Sequence, residues 1–235
     1  MNTIVTNMTL MRTVCNWVRK QGVTNNDPFF GYDMPKALYG TPYFLTIQER
    51  DQVLDADLTD DAELAEYRDM FVFQCMVGCR HSDLVSFTPK NIIDGVLEYI
   101  PIKTKGKLGD VVRVPLIPKA MAILDGHDHG DDEPIFPKHY NFKFNDAIRR
   151  ILKRAKVNRV VTVINPKTRL EEKKPISDVA TSHLARRTFI GNLYRMVKDP
   201  DLVASMSGHA KGSVAFARYR VIDDDMKKSL VELIQ

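Results

Sequence analysis

The chain contains 235 residues, of which 44% are hydrophobic, and it carries a formal net charge of +4. This composition supports one substantial hydrophobic core with a small additional module. The sequence contains no apolar run of about 18 residues and no signal-peptide pattern, so we expect a cytoplasmic protein that does not cross a membrane. Its three cysteines, Cys15, Cys75 and Cys79, are too few for a disulfide framework.

Charged residues are distributed unevenly along the chain. Residues 46–69 include nine acidic and two basic side chains, a net charge of −7, whereas residues 138–174 include twelve basic and three acidic side chains, a net charge of +9. A basic block of this size suits a polyanionic partner, although a solvated helix face gives the same pattern.

The N-terminal part of the chain is predicted to be separate from the rest. Apolar residues recur at helical spacing over residues 3–20, which predicts a helix. The proline- and glycine-rich stretch that follows is typical of a linker. We therefore expect a helix within residues 1–25 that ends a separate module, a linker over residues 26–45 and the main domain over residues 46–235.

The main domain is predicted to be mainly α with a small β-sheet, an α+β fold. Thr46 and Glu49 have the pattern of a capping box at the start of a short helix. A buried helix is predicted from about 61 to 79, and a basic amphipathic helix over residues 142–156. From Ser182 onward the pattern is helical nearly to the end of the chain.

Two places in the main domain have the alternating pattern of strands. Residues 96–102 and 110–116 predict a hairpin whose turn, "KTKGKLG", is rich in lysine and glycine. A second β-ribbon is predicted around residues 159–175.

The C-terminal helical region is predicted to be interrupted at Pro200, at Gly208 and near Asp223. The last helix has an apolar face that includes Met226 and Leu230. This face docks either on its own core or on a neighbouring protomer, and the sequence does not choose between the two.

Arg186 lies on the apolar side of its predicted helix. It is three, four and seven residues before Phe189, Ile190 and Leu193, and His183 lies one turn earlier on nearly the same face. A buried guanidinium needs an anion to replace its water. That anion is either a carboxylate of the fold or a phosphate of a ligand.

Two further stretches place polar side chains at helix ends. In "GCRHSDL", Gly78 ends one helix, Arg80 projects from the corner and Asp83 lies in the first turn of the next helix. In "SGHAKGSVAFARY", His209 follows a glycine and Tyr219 comes ten residues later. Each stretch is a weak signal when taken singly.

The order of these stretches is more specific than any one of them. "GCRHSDL", a basic hairpin with "KTKGK", "HLARRTF", "SGH" and "ARY" resemble the catalytic domain of the tyrosine recombinases, the phage-integrase family. The linker and "PYFLTIQER" are similar to integrases of Bacteroidetes mobile elements, and the first helix resembles the end of a core-binding, SAM-like domain. The resemblance implies the tyrosine recombinase catalytic-domain fold.

The resemblance also implies a role for each matching residue. Arg80 and Arg186 would clamp the scissile phosphate, while His183 and His209 would hydrogen-bond to its other oxygens and assist proton transfer. Tyr219 would be the nucleophile.

A catalytic lysine is expected in the hairpin. Lys103, at the end of the first predicted strand, is the first choice, Lys105 is the second, and Lys107 is also available. Asp83 would support the first arginine.

The function implied is that of a site-specific DNA recombinase or integrase acting through a 3′-phosphotyrosyl intermediate, for integration or excision of a mobile element. No metal and no nucleotide cofactor is expected, because the arginines supply the positive charge. The expected partners are double-stranded DNA attachment sites, further copies of the chain in a homotetramer joined through the C-terminal helix, and DNA-bending accessory proteins. The expected location is the bacterial nucleoid.

Three alternatives are less favoured. A type IB topoisomerase-like enzyme would use the same chemistry without partner or site preference, and a catalytically inactive relative would only bind DNA. The stretch "HDHGDDE" at residues 127–133 offers metal-ligand side chains, but they lack helical spacing. A solvated loop is therefore expected there.

Overall fold

The structure is a computed structural model, and it describes residues 2–40, 42–104, 111–127, 130–197, 199–209 and 231. The predictions made for Tyr219, Lys105, Lys107 and the last helix lie outside these residues. The chain divides into two compact units, Met1–Thr41 with Thr162–Lys173, and Pro42–Val161 with Lys174–Gln235. Among the described residues, no helix has both the length and the apolar character needed to cross a membrane.

The smaller unit contains the predicted N-terminal helix as α1 (Asn2–Lys20), none of whose residues is buried. Polar contacts hold the following segment to the helix. The Asn2 side chain both donates to and accepts from the backbone of Leu38, at 2.8 and 3.2 Å, and Arg19 pairs with Asp27 at 2.7 Å.

The larger unit is built around one buried helix. The helix α2 (Ile47–Leu54) begins at Thr46, which forms the predicted capping box with Glu49. The next helix, α3 (Ala62–Val77), is buried at every position from Met70 to Val77. Every residue of this segment except Gln74 is hydrophobic, as expected of the buried part of a helix. The other helices are α4 (His81–Leu84), α5 (Pro118–Asp125), α6 (Asn141–Arg154), α7 (Ile176–Val179), α8 (Ser182–Val197) and α9 (Pro200–Ser207).

The helix α3 packs against α2, α5, α6 and α8. These four helices therefore cover α3 on several sides. The helix α5 was not predicted, although Pro118 at its first position is a common start. The predicted interruptions at Pro200 and Gly208 are confirmed: α8 ends at Val197, α9 begins at Pro200 with Asp199 as its N-cap, and Gly208 ends α9.

The sheet contains three antiparallel strands, β1 (Ile92–Ile93), β2 (Val96–Tyr99) and β3 (Val112–Pro115), in the order β1-β2-β3. The predicted ribbon is present as β4 (Val160–Ile164) and β5 (Glu171–Pro175).

The first strand of the predicted hairpin is shorter than expected. It ends at Tyr99, and Ile102–Thr104 form a 3-10 turn. Pro101 has no N–H group to donate to a neighbouring strand, and the N–H of Ile102 donates to the side chain of Asp83 instead.

The acidic and basic segments of the sequence pair with each other in the larger unit. Their ion pairs lie on the surface, where each contributes little to stability. They are Arg150 with Asp61, Arg154 with Asp60 and Arg159 with Glu49, at 2.5–2.7 Å. Part of the predicted footprint for a polyanion therefore neutralises the chain's own carboxylates.

Gly78 ends α3 with a left-handed backbone, φ 68°. A methyl carbon added there would lie 2.2 Å from Cδ1 of Phe189 on α8. The chain can therefore turn directly beneath α8 only because this residue has no side chain.

The change Gly78→Ala should lower the free energy of unfolding by about 3 kcal/mol, because left-handed strain and overpacking add. The matched control is Gly95→Ala, where φ is 73° and, among the described residues other than its chain neighbours, no atom lies within 4 Å of the added carbon. The control should lose only about 1 kcal/mol from strain. Urea denaturation measures both losses, and equal losses would contradict the role of Phe189.

Candidate active site

A cavity of about 240 Å³ lies where α3 ends and where α4 and α8 begin. Its wall contains three of the predicted site residues, Arg80, His183 and Arg186. The remaining wall is largely polar and includes Gln74, Cys79, His81, Ser82, Asn141 and Ser182. The tertiary structure thus brings together residues that are more than 100 positions apart in the sequence.

Arg186 is only 3% exposed, as its place in the apolar stripe predicts. Its Nη1 donates to the backbone carbonyl of Gly78 at 2.6 Å. Its Nη2 lies 3.0 and 3.2 Å from the two ring nitrogens of His209. The guanidinium therefore joins α8 to the end of α3 and to the residue that follows α9.

Arg80 projects from the corner between α3 and α4 toward the same cavity. Its side chain is 22% exposed, and its Nη1 lies 3.9 Å from Oδ2 of Asp83. Within the described part of the chain, Nη1 is buried and has no hydrogen-bond partner. This donor is thus placed in the cavity wall with capacity for an oxygen ligand.

Asp83 has a structural basis for the supporting role predicted for it. The carboxylate is 1% exposed and accepts hydrogen bonds from the backbone N–H groups of Arg80, at 3.4 Å, and Ile102, at 2.9 Å. One buried side chain therefore ties the corner that carries Arg80 to the turn that carries Lys103.

Lys103 lies in the 3-10 turn rather than at the end of a strand, which corrects its predicted position. Its side chain is exposed. Its positive charge contributes to the lowered pKa of both His183 and His209, so it lies within electrostatic reach of the site. Lys105 and Lys107 lie outside the described residues.

His209 is placed by a glycine that ends α9. Gly208 has φ 63°, and a side chain there would approach Val112 and Pro101 to 3.0 and 3.1 Å. Gly208 therefore lies close to β3, and Nδ1 of the adjacent His209 lies 2.9 Å from the hydroxyl of Ser207.

His183 is in the first turn of α8, and its ring is exposed at the cavity. Two asparagines of α6 hold this end of α8. Asn145 accepts from the backbone N–H of Ser182 at 2.8 Å, and Asn141 accepts from its hydroxyl at 3.3 Å. Sequence reasoning missed both asparagines, because nothing in the local pattern of α6 indicates which element they contact.

The surroundings of both histidines of the site favour the neutral form, because they lower both pKa values. Burial and the charges of Arg186, Arg80 and Lys103 lower the pKa of His209 to about 3. Partial burial, followed by nearby arginines, also lowers the pKa of His183. A neutral imidazole can accept a proton or a hydrogen bond, whereas an imidazolium only donates.

The solved structures that this chain resembles include recombinases and integrases. The Tn1549 transposon integrase, in complex with a circular intermediate DNA, has a TM-score of 0.68 and 14% identity over 100% of this chain and 79% of that one. A lambda integrase dimer bound to a COC′ core site has a TM-score of 0.62 and 15% identity, over 92% and 72%. XerA recombinase has a TM-score of 0.58 and 16% identity, over 86% and 67%. The fold is therefore that of the tyrosine recombinases.

The family model described as "Phage integrase family" matches residues 43–226. The chain belongs to the phage integrase family and is a site-specific tyrosine recombinase, an enzyme that cleaves and rejoins DNA. No curated protein sequence matches it significantly.

The lowered pKa of His209 predicts a pH dependence of folding. The ordinary pKa is 6.5 and the folded value is about 3, so between these pH values the unfolded chain binds a proton that the folded chain does not. Stability should therefore fall as the pH decreases from about 6.5 toward 3. Urea denaturation as a function of pH should show a shallower fall for His209→Gln, and the same slope in both proteins would contradict the assignment.

Proposed function

We propose that this chain cleaves one strand of double-stranded DNA with Tyr219, stores the bond as a 3′-phosphotyrosyl link and rejoins it to another strand. Arg80, Arg186, His183, His209 and Lys103 would act on the scissile phosphate. The observation that carries the proposal is the single cavity that Arg80, Arg186 and His183 line, with His209 in contact with Arg186.

The arginines would bind the non-bridging oxygens of the phosphodiester. Negative charge on these oxygens grows in the transition state, so donors that are already in place stabilise it without reorganisation. The contacts of Arg186 with Gly78 and His209 support this role, because they fix its guanidinium before DNA arrives. The buried Nη1 of Arg80 supports it as well.

The nucleophilic step would be attack of the Tyr219 hydroxyl oxygen on phosphorus. The tyrosine loses its proton during attack because its ordinary pKa is about 10. A neutral histidine of the site is a suitable acceptor for that proton. The new bond is Tyr219 Oη to phosphorus, and the bond from phosphorus to the 5′-oxygen breaks.

The departing 5′-oxygen would take a proton from Lys103. The turn that carries this lysine is held by Asp83, which also holds Arg80, and this shared support favours Lys103 over Lys105. The 5′-hydroxyl of a second strand would then attack the phosphotyrosyl link, release Tyr219 and complete the exchange.

The larger assembly is also part of the proposal. One structural neighbour is a lambda integrase tetramer bound to a Holliday junction, which supports a homotetramer on DNA. Docking of the C-terminal helix between protomers is a further part of the proposal. DNA-bending accessory proteins, a Bacteroidetes mobile element as source and action at the bacterial nucleoid remain parts of the proposal.

Covalent trapping tests the chemistry. We expect the protein, in EDTA, to form a denaturant-resistant adduct on a pool of nicked duplexes randomised around the nick, because the short strand released by cleavage diffuses away before religation. Sequencing of the trapped DNA identifies the preferred site. Tyr219→Phe should form none, since it lacks the attacking oxygen.

The controls separate the alternatives. An adduct that also forms with Tyr219→Phe would refute the nucleophile, and a protein that binds DNA but never forms an adduct would be the inactive relative. Trapped DNA without sequence preference, together with relaxation of an unrelated supercoiled plasmid, would indicate the type IB topoisomerase-like enzyme.

The DNA affinity should fall steeply with salt, because phosphate contacts release counterions. Arg80→Gln should reduce the slope of log K against log salt by about 1, since one phosphate contact is lost. The matched control Arg154→Gln should leave the slope unchanged, because Asp60 already pairs with Arg154. Filter binding over a range of salt measures both, and an affinity independent of salt would argue against any DNA-binding function.

A further inference from the structure

Gln74 is a polar residue in the buried part of α3. Gln74 is only 1% exposed, and its neighbours Phe73 and Cys75 are apolar and buried. Its Nε2 donates to the backbone carbonyl of Cys79 at 3.0 Å. Burying an amide costs free energy unless the amide is hydrogen-bonded. The hydrogen bond to Cys79 therefore satisfies the amide nitrogen of Gln74.

The contact falls on the peptide unit that leads into Arg80. The carbonyl of Cys79 and the N–H of Arg80 belong to one planar group. Gln74 holds the carbonyl end at 3.0 Å, and Asp83 holds the N–H end at 3.4 Å. The peptide plane immediately before the Cα atom of Arg80 is therefore held at both ends, and the shorter of the two hydrogen bonds comes from Gln74.

The preceding carbonyl, that of Gly78, is held by Arg186. Two successive carbonyls of the corner thus accept from side chains of two different helices, α3 and α8. Gln74 itself lines the cavity beside Arg80 and Arg186.

We propose that Gln74 is a positioning residue for DNA cleavage, which orients Arg80 toward the scissile phosphate through the Cys79 carbonyl. This inference rests on the proposed function of the cavity. It assigns a role to a residue outside the motif "GCRHSDL", within a helix whose other buried residues are hydrophobic.

The side chain also permits a clean substitution. Within the described residues, Oε1 of Gln74 is buried and has no hydrogen-bond partner. Methionine has nearly the same length and tolerates buried sites, so Gln74→Met removes the donor to Cys79 and breaks no other bond of the described structure.

The first measurement is the rate of covalent adduct formation on the preferred nicked duplex. Gln74→Met should be about tenfold slower at saturating DNA, because the loss of one hydrogen bond misplaces a group that acts in the transition state. The matched control is Gln52→Met, which removes an amide-to-carbonyl bond of 2.7 Å between Gln52 and Ala155, away from the cavity wall. The control should retain the wild-type rate.

A double-mutant cycle with Arg80→Lys tests whether Gln74 acts through Arg80. In the Arg80→Lys background, Gln74→Met should slow the reaction by less than about threefold, because the group that it orients is already changed. The same loss in both backgrounds would show a general structural effect and overturn the inference.

Gln74→Glu gives a pH signature that a loss of packing would not. The protonated carboxyl can donate to the Cys79 carbonyl, whereas the carboxylate repels it. The rate relative to wild type should therefore rise as the pH falls, while Gln74→Met should show no such rise.

A measurement made without DNA tests whether Gln74 positions Arg80, whatever the outcome of the cleavage experiments. The NMR order parameter of the Arg80 Nε–H group should fall in Gln74→Met and stay unchanged in Gln52→Met. A wild-type protein that forms no Tyr219-dependent adduct would refute the proposed function, while the order parameter would still decide whether Gln74 positions Arg80. Unchanged order parameters overturn the inference even if all variants cleave DNA.

Discussion

The hydrogen bond from Arg186 to the carbonyl of Gly78 is the interaction on which the rest of the site depends. It joins α8 to the end of α3, the most buried helix of the larger unit. A guanidinium that is 3% exposed has lost nearly all its water and must be compensated by fixed acceptors. The left-handed turn at Gly78 presents its carbonyl to α8 while leaving room for the Phe189 ring. Backbone conformation and the position of a charged side chain are therefore set by one contact.

The described contacts of the site's cationic groups include neutral acceptors and the carboxylate of Asp83. Arg186 contacts an uncharged imidazole, because burial and nearby charges lower the pKa of His209. Asp83 serves the corner of Arg80 and the turn of Lys103 at once. Arg80 and Arg186 line the cavity, where their guanidinium groups can contact an anion. Preorganisation of this kind is what phosphoryl transfer through a tyrosine requires.

The arginines of this chain have two kinds of surroundings in the fold: some pair with carboxylates on the surface, and others line the cavity. Arginines of the basic segment, Arg150 and Arg154, pair with Asp61 and Asp60 of the acidic one. Net charge along the sequence therefore overstated the surface open to a polyanion. The arginines that line the cavity lie in segments whose local charge is unremarkable in the sequence. Counting charges along the sequence locates acidic and basic segments. Which of their side chains form ion pairs depends on which helices pack together.

The sequence by itself determined the larger helices, the capping box at Thr46 and the order of motifs that identifies the family, because these depend on periodicity and on residues close together in the chain. It also indicated that Arg186 faces inward. Only the tertiary structure decided what Arg186 contacts, where the first strand ends and which residues hold Arg80. The strand ends early because Pro101 cannot donate and Asp83, 19 residues earlier, captures the next N–H. In the sequence, Gln74 is one more position of a buried helix, and only the folded structure shows that its side chain donates to the carbonyl of Cys79. Contacts between distant segments arise from packing, and the local pattern that defines a helix contains no information about which carbonyl its side chains will meet.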